Sequence, residues 1–273
     1  MMILQVFISH RQKEPPHESL DTNECRWRCD LDHQQSTRQR TEYGGCGRVS
    51  GVLAHIAQDN PKAVIITGHG DRAFVAGANI KEINALPDVN AGAVFGEVML
   101  RLAATIRNAA FPVIAAINGV AYGGGCELAL MCDLRVASST ARLALPEVTL
   151  GLMPGWGGSV RVTRRAGTST ALLMALTGDP IDADNCLRLG LVDIVTEPAE
   201  LHATATTLAL RIGSMSASVV ATIKRTIYAG ADQPLEDALA AECATFAHIV
   251  VAPDAKEGTD AFLNKRAPQW KTS

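Results

Sequence analysis

Two glutamates beside glycine-rich turns are the residues best suited to catalysis in this chain. Glu127 directly follows the glycines of residues 123–125 and one cysteine, and Glu147 comes twenty positions later. The glycines stand between an apolar stretch at 112–117, which predicts a buried strand, and an apolar stretch that predicts a helix. A helix N-terminus presents unpaired N–H groups and stabilises negative charge. Backbone donors beside two carboxyl groups predict an enzyme that makes an oxyanion and moves protons.

The amino-acid composition limits the classes of protein to which this chain can belong. The chain has 273 residues, a hydrophobic share of 47% and a net charge of −3, with no run of Lys or Arg. We therefore expect a sizeable core and no nucleic-acid or membrane-surface partner. No apolar run reaches the roughly 18 residues of a membrane span. Seven cysteines at scattered spacings do not form a disulfide framework, which favours reduced thiols in the cytoplasm or an organelle matrix.

The chain divides into three parts by composition. Residues 1–48 are rich in polar and charged side chains without a sustained period, and predict an atypical, disordered or foreign segment. Residues 49–198 predict an α/β core, and residues 199–273 predict a helical region. The spacing of the thiols and imidazole in the first part matches no common zinc motif, so we expect no metal there; these residues are Cys25, Cys29, His33 and Cys46.

Hydrophobic periodicity predicts strands that alternate with helices, the pattern of an α/β fold. The expected strands are 63–67, 74–78, 112–117, 134–137, 143–145 and 191–195. The expected helices are 51–58, 79–82 capped by Asn79, 90–108 capped by Asn90, 124–132 and 182–189 capped by Asp182, and the whole chain beyond Pro198 is expected to be helical.

An ordered series of segments resembles the enoyl-CoA hydratase (crotonase) family, over about residues 63–270. These segments are Phe74-Val-Ala-Gly-Ala-Asn-Ile-Lys-Glu82, Pro112-Val-Ile-Ala-Ala-Ile-Asn-Gly119, Gly123-Gly-Gly-Cys-Glu-Leu-Ala129, Cys132-Asp133, and Pro146-Glu147 through Pro154-Gly-Trp-Gly-Gly158. The resemblance implies a crotonase-like spiral of ββα units with a C-terminal helical layer that builds trimers, commonly paired into hexamers. It also implies a coenzyme A thioester as the ligand.

The resemblance also implies roles for individual residues. The backbone N–H groups of Ala78 and Gly124 correspond to the donors that grip the thioester oxygen. Glu127 and Glu147 correspond to the carboxyl pair that holds a water and moves its proton. The other residues that correspond to contacts with substrate or coenzyme A are Ala76, Gly77, Ile80, Gly123, Trp156, Phe262 and Lys265. No metal or redox cofactor is implied, because coenzyme A belongs to the substrate.

Several of these residues have a simpler interpretation from residue type alone. Trp156 is equally a wall of the acyl site or a structural anchor of its loop. Phe262 is more commonly a core residue than a ligand contact, and Lys265 is equally a solvated lysine at a helix end. Cys126 is expected to face the core and not to act as a nucleophile. Asn79 stands where the family usually has Asp, and it retains the capacity to cap a helix.

The resemblance implies an enoyl-CoA hydratase that converts trans-2-enoyl-CoA into 3-hydroxyacyl-CoA in acyl catabolism. The alternatives are a Δ3,Δ2-enoyl-CoA isomerase of the same family, which needs one carboxylate, and a non-catalytic acyl-CoA-binding relative. Family members usually begin with a strand pair and a helix that carries a basic contact to the coenzyme. Nothing in residues 1–50 matches that sequence, so we hypothesise that the segment replaces the usual start and does not enter the core sheet.

Overall fold

The computed structural model describes residues 3–8, 27–30 and 44–271; for residues before 49 and for residue 50 it describes the backbone alone. The strands are β1 (Ile3–Ile8), β2 (Trp27–Asp30), β3 (Val64–Gly68), β4 (Ala73–Val75), β5 (Val113–Ile117), β6 (Val120–Tyr122), β7 (Leu134–Ser138), β8 (Arg142–Ala144), β9 (Ile181–Asp182) and β10 (Ile194–Thr196). The helices are α1 (Gly44–Ile56), α2 (Ile80–Asn84), α3 (Val89–Asn108), α4 (Gly124–Met131), α5 (Gly158–Thr177), α6 (Ala183–Arg188), α7 (Leu201–Gly213), α8 (Ala217–Gly230), α9 (Leu235–Ile249) and α10 (Pro253–Leu263). Short 3₁₀ turns occupy Ala57–Asp59, Pro146–Leu150 and Pro198–Glu200.

From β3 to β8, successive strands alternate between two sheets. One sheet has the order β10-β7-β5-β3-β1-β2, and the other has the order β4-β6-β8-β9. The strands β3, β5 and β7 pair in parallel in the larger sheet, and the strands that follow each of them, β4, β6 and β8, pair in parallel in the smaller sheet. Each such pair of strands is followed by a helix or a 3₁₀ turn and helix. This repetition confirms the predicted spiral of ββα units with a helical C-terminal layer.

The central strands β3 and β5 of the larger sheet are buried on both faces, which explains why each is a continuous apolar run without alternation. One face joins the main core, to which the helices α1, α3 and α4 and the smaller sheet contribute. The opposite face is covered by α7 through a second cluster; its members are Ala63, Ile65, Ile114, Ala116, Val136, Leu201, Ala205 and Ala209. The core is built mainly from Ala, Val, Leu and Ile, as the composition predicts.

The N-terminal segment differs from its prediction. Strand β1 pairs antiparallel with β3, from Leu4 opposite Gly68 to Ile8 opposite Val64, and β2 pairs antiparallel with β1. The expectation that residues 1–48 contribute no strand to the core sheet is therefore wrong for the backbone of β1 and β2. The reason is non-local: the apolar segment at 3–8 completes an edge of β3 that lies some sixty residues away in sequence. The division at residue 48 stays a prediction, and α1 crosses it.

Several element bounds also differ from their predictions. Helix α3 is capped by Asp88, whose carboxylate accepts from the Ala91 N–H, and not by Asn90. The long helix α5 was not expected, because its sequence is rich in Gly, Ser and Thr and it bends at Gly167, whose φ is +84°. Strands β6 and β9 are short and were not predicted. Strand β10 begins at Ile194 and not at residue 191, because Leu191 and Val192 form a buried turn. The predicted caps Asn79 and Asp182 are confirmed.

Helix α3 is the described helix whose length and composition would suffice for a membrane span. One of its faces packs in the core through Val98, Leu102 and Ile106, whereas Glu97 and Arg101 form an ion pair on its exposed face. We therefore interpret α3 as an amphipathic core helix.

A buried polar cluster fastens α8 to the core. The ammonium of Lys224 donates to Oδ2 of Asp133 at 2.7 Å and to the carbonyl oxygens of Ile106 and Phe111 at 2.7 and 2.9 Å. The other oxygen of Asp133 accepts from the Tyr228 hydroxyl at 2.7 Å. A buried cation needs its partners because the free energy of desolvation is large. The cluster is therefore stable only when complete.

Lys224→Ala should lower the free energy of unfolding by about 3–5 kcal/mol, because it leaves the Asp133 carboxylate buried without its counter-charge. The matched control is Arg101→Ala, which breaks the exposed pair with Glu97 and should cost less than about 1 kcal/mol. Urea unfolding followed by circular dichroism measures both values. Equal losses in the two variants would contradict this account of the cluster.

Candidate active site

The candidate site lies at one edge of the four-stranded sheet. Strands β4, β6 and β8 are parallel neighbours, so their carboxyl ends meet at the same edge. Ala78 follows β4, Gly124 follows β6, and Glu147 follows β8. Residues distant in sequence are therefore brought together by strand pairing alone.

The glycine turn after β6 needs glycine for two separate reasons. Gly123 has φ +54° and ψ −122°, a conformation that side chains disfavour, and its N–H donates to the Ala144 carbonyl at 3.0 Å. A Cβ atom on Gly125 would lie 1.9 Å from the Val75 carbonyl oxygen, so this glycine lets α4 pack directly on β4. Gly124, between them, is the first residue of α4, where an N–H has no intrahelical acceptor.

Glu127 is anchored by the loop that precedes α5. Its Oε1 accepts hydrogen bonds from the N–H groups of Trp156 and Gly158, each at 2.8 Å. The side chain is 2% exposed, and the backbone N–H of Glu127 donates to the Gly123 carbonyl at 3.0 Å. One carboxyl oxygen of Glu127 is thus fixed by the loop that precedes α5.

Glu147 approaches the same turn from β8. A Cβ atom placed on Gly123 would lie 3.2 Å from Oε1 of Glu147, so this carboxyl group lies directly against the turn. Its Oε2 is buried and has no hydrogen-bond partner among the described residues. A buried oxygen without a donor is a poor environment for a carboxylate.

Burial perturbs both carboxyl groups in the same direction. Desolvation raises the pKa of Glu127; the N–H groups of Gly158 and Trp156 and the charge of Arg161 oppose the rise, and the charge of Glu147 adds to it. Desolvation also raises the pKa of Glu147. Paired carboxyl groups with raised pKa values are characteristic of acid–base sites.

Four other predicted contacts lie around this turn. Ala76, Gly77 and Ile80 are exposed in the segment after β4, and Ala78 among them is partly buried against the core. A Cβ atom on Gly77 would lie 3.7 Å from the Tyr122 carbonyl oxygen, so the segment passes close to the end of β6. The structure therefore brings the residues after β4 and β6 together.

The two C-terminal candidates lie on the surface of this chain. Phe262 is 83% exposed near the end of α10, so its interpretation as a core residue is wrong. Lys265 is also exposed and has φ +52°, and its N–H donates to the Phe262 carbonyl at 3.2 Å. Neither residue is brought to the carboxyl pair by contacts within one chain.

The cysteine beside Glu127 is buried, as expected. Cys126 is fully buried, and desolvation raises the pKa of its thiol well above the usual range. A protonated, buried thiol is inert. No group of three or more metal-ligating side chains occurs among the described residues. The side chains of Cys25, Cys29, His33 and Cys46 lie outside the described part of the chain.

Three residues that shape the site had no role predicted from the sequence, although Gly158 lies in a segment that carries the resemblance. Arg161 donates through Nη1 to the Trp156 carbonyl at 2.8 Å, and Gly158 supplies an N–H to Glu127. Phe95 of α3 stacks on Trp156 with a centroid distance of 5.1 Å. If α5 had been predicted, Arg161 would have been placed in its first turn. A cation is unusual near a helix N-terminus, so its presence there would have indicated a specific partner.

Comparison with known proteins agrees with this geometry. The sequence model of the family described as enoyl-CoA hydratase/isomerase matches residues 49–273. The chain belongs to this family. A short-chain-enoyl-CoA hydratase of Clostridium acetobutylicum is 42% identical over 219 residues, which cover 79% of this chain and 82% of that protein. A crotonyl-CoA hydratase of Syntrophomonas wolfei is 40% identical over 213 residues, 76% of this chain and 80% of that protein.

Solved structures of the family have the same fold. A crystal structure of an enoyl-CoA hydratase from Bacillus anthracis matches with a TM-score of 0.78 and 34% identity, over 84% of this chain and 88% of that one. An enoyl-CoA hydratase of Geobacillus kaustophilus matches with a TM-score of 0.79 and 33% identity, over 84% of this chain and 87% of that one. In this chain β1, β2 and α1 precede β3, whereas the match to the family model begins at residue 49.

Replacement of Glu147 should change the pH dependence of stability. Folding raises the pKa of Glu147. The stabilisation from its protonated carboxyl group is therefore fully present below the pKa of this residue in the unfolded chain, about 4.3, and it is lost as pH rises through the higher pKa in the folded protein. Glu147→Gln removes this loss and should be more stable than the parent at pH 7. Thermal unfolding from pH 3.5 to 8 measures the difference. The two proteins should converge at the acid end, and a constant difference at every pH would contradict the assignment.

Replacement of Arg161 should raise the pKa of Glu127 further, because a nearby positive charge favours the carboxylate. Arg161→Gln removes the positive charge and keeps a shorter polar side chain at this position. NMR titration of ¹³C-labelled glutamate carboxyl groups measures the shift, with Glu127→Gln used to assign the signal. Arg164→Gln, at an exposed position of the same helix, should leave that signal unchanged.

Proposed function

We propose that this enzyme is an enoyl-CoA hydratase, a hydro-lyase that adds water to trans-2-enoyl-CoA and yields 3-hydroxyacyl-CoA. The observation that carries the proposal is the convergence of the buried Glu127 and the partly buried Glu147 on one glycine turn. Oε1 of Glu147 lies 3.2 Å from the Cβ position of Gly123, and Glu127 is one helical turn further along the chain. The hydratases of Clostridium acetobutylicum and Syntrophomonas wolfei support it by their names and similarity.

The backbone N–H groups of Ala78 and Gly124 would bind the thioester oxygen. Attack of water at C3 moves the π electrons of the C2–C3 double bond toward the carbonyl, so negative charge grows on its oxygen. A well-placed donor to such an oxygen contributes about 3–4 kcal/mol to the barrier reduction. The position of both residues at the carboxyl edge of one sheet supports this role.

We assign Glu127 as the base and Glu147 as the acid. Two N–H donors stabilise the anionic form of Glu127, whereas the unpartnered oxygen of Glu147 favours a neutral carboxyl group. Glu127 takes a proton from water as the C3–O bond forms. Glu147 then gives its proton to C2, which completes the C2–H bond and restores the carbonyl. Proton exchange between the two groups and solvent returns the site to its starting state.

Other properties of the enzyme follow as proposals. The site requires no metal or redox cofactor, since the water is activated by a carboxylate. Helix α9 has no buried residue in the single chain, and its apolar stripe is exposed at Leu235, Leu239 and Phe246. This unburied stripe supports association of copies into a trimer or hexamer, with Phe262 and Lys265 holding coenzyme A at a neighbour's site. We place the enzyme in the cytoplasm or an organelle matrix.

Glu127→Gln and Glu147→Gln should each lower kcat for crotonyl-CoA hydration by about 10²–10⁴-fold, because each removes one proton-transfer group. The glutamine at 127 can still accept the two loop N–H bonds, so the fold is retained. Loss of the conjugated enoyl absorbance measures the rate, and circular dichroism checks the fold.

The same variants distinguish the rival functions. A Δ3,Δ2-isomerase would convert 3-enoyl-CoA substrates and would retain that activity when one of the two carboxyl groups is removed. A non-catalytic relative would bind acyl-CoA with no turnover of either substrate by the parent protein. Hydration that survives Glu127→Gln would refute the role of Glu127.

A further inference from the structure

The two ends of helix α5 contact adjacent residues of the chain. A Cβ atom on Gly158, the first residue of α5, would lie 2.7 Å from Cδ2 of Leu145. A Cβ atom on Gly178, which directly follows α5, would lie 3.1 Å from Cα of Pro146. A straight helix of this length would measure about 30 Å, whereas the Cα atoms of adjacent residues are about 3.8 Å apart. Helix α5 must therefore bend sharply between its ends.

The bend lies at Gly167. This residue has φ +84° and ψ 164°, a non-helical conformation that side chains rarely adopt. It divides α5 into a first arm, residues 158–166, and a second arm, residues 168–177. Val162 of the first arm and Met174 of the second are buried in the main core, so packing holds both arms. A Cβ atom on Gly167 would meet open space, so glycine is needed here for its backbone conformation and not for close packing.

The first arm is in direct contact with Glu127. The Gly158 N–H donates to Oε1 of Glu127 at 2.8 Å, and a Cβ atom on Gly158 would lie 2.9 Å from Cγ of the same glutamate. Arg161 of this arm donates to the carbonyl of Trp156, and the N–H of Trp156 is the other donor to Oε1. The start of the first arm therefore fixes the position of the Glu127 carboxyl group.

The second arm ends against the 3₁₀ turn that carries Glu147. In addition to its contact with Pro146, a Cβ atom on Gly178 would lie 3.4 Å from Cγ2 of Thr149. Both contacts belong to this turn, which the Thr149 hydroxyl closes by a hydrogen bond to the Pro146 carbonyl at 2.7 Å. The end of the second arm therefore limits where the turn, and Glu147 within it, can lie.

This arrangement bears on the reaction, and the argument rests on the proposed hydratase function. Glu127 and Glu147 serve adjacent carbons of one substrate, C3 and C2, so the separation of their carboxyl groups must match that substrate. Each carboxyl group is held by a different arm of α5. Displacement of a reacting group by about 1 Å can lower a rate by about 10²-fold. The angle between the arms therefore bears directly on the rate.

We propose that Gly167 is a positioning residue whose bend sets the separation of the Glu127 and Glu147 carboxyl groups. It acts at a distance, through the contact of Gly158 with the first glutamate and the contact of Gly178 with the turn that carries the second. A side chain at residue 167 would disfavour the bend, because a φ of +84° is strained for residues other than glycine. A straighter α5 would move its two ends, and with them the carboxyl groups, apart.

The test measures kcat, KM and the pH profile of crotonyl-CoA hydration in the parent and in Gly167→Ala. We expect kcat to fall by about ten- to 100-fold. The change in KM should be much smaller, because the proposed donors to the thioester oxygen follow β4 and β6 and not α5.

The pH profile separates positioning from a general loss of structure. Repulsion between the two carboxyl groups, which adds to desolvation in raising the pKa of Glu127, helps to keep one proton on the pair. This repulsion weakens as the groups separate. The alkaline limb of the kcat profile should therefore move to lower pH in Gly167→Ala, whereas a loss of folded protein alone would leave its position unchanged.

Gly178→Ala tests the other end of the same arrangement. Its Cβ atom would press on Cα of Pro146 and displace the turn that carries Glu147. Both kcat and the alkaline limb should therefore change in the same direction as in Gly167→Ala. This variant also serves if Gly167→Ala does not fold, as judged by circular dichroism.

The matched control is Gly70→Ala. Gly70 also has a positive φ, +73°, and open space around its Cβ position, but it lies in the loop after β3. The same kind of backbone strain is thus introduced outside α5. Thermal unfolding should show a loss of stability in both variants, while kcat and the alkaline limb of Gly70→Ala should remain those of the parent.

Three outcomes overturn the inference while the hydratase function stands. The first is a parental kcat in the α5 variants, and the second is a fall in their kcat without movement of the alkaline limb. The third is an equal fall of kcat in Gly70→Ala, which would attribute the effect to backbone strain in general. Absence of hydration by the parent would instead refute the proposed function itself.

Discussion

The parallel pairing of β4, β6 and β8 is the constraint on which the site depends. Parallel strands end at a common edge, so whatever follows each of them is delivered to the same place. Here those residues are a backbone donor candidate after β4, a glycine turn after β6 and a glutamate after β8. These three groups are far apart in sequence, and strand pairing alone brings them together. Each ββα unit of the spiral therefore adds one strand end to the same edge of the smaller sheet, and each strand end is followed by a different group.

The site contains two carboxyl groups in surroundings that disfavour their ionisation. Glu127 is almost fully buried, and Glu147 has a buried oxygen without a donor. Both conditions oppose ionisation, and two N–H groups offset them at Glu127 alone. The asymmetry between two otherwise identical side chains arises from the loop before α5. In the proposed mechanism, environment and not residue type therefore separates the proton acceptor, Glu127, from the proton donor, Glu147.

Much of this arrangement can be predicted from the sequence, and the failures share a cause. Glycines, flanking apolar runs and the spacing of the two glutamates are local signals, and they identified the turn, α4 and the carboxyl pair. The caps at Asn79 and Asp182 are equally local and were correct. Strand β1 was missed because its partner β3 is distant in sequence, and α5 was missed because its composition conceals its period. Arg161 and Phe95 act through Trp156, so only the folded chain reveals them.

The Lys224–Asp133–Tyr228 cluster has a consequence for the helix that carries Glu127. Asp133 directly follows Cys132, the residue that caps the C-terminal end of α4, while Gly123 at the other end is bonded to Ala144. The active-site helix is thus clamped at both ends, and one clamp belongs to α8. Displacement of α8 would remove two of the hydrogen bonds to Asp133, beside the C-terminal end of α4, and leave the bond from the Val113 N–H. The outer helical layer and the helix that carries Glu127 are therefore linked through Asp133.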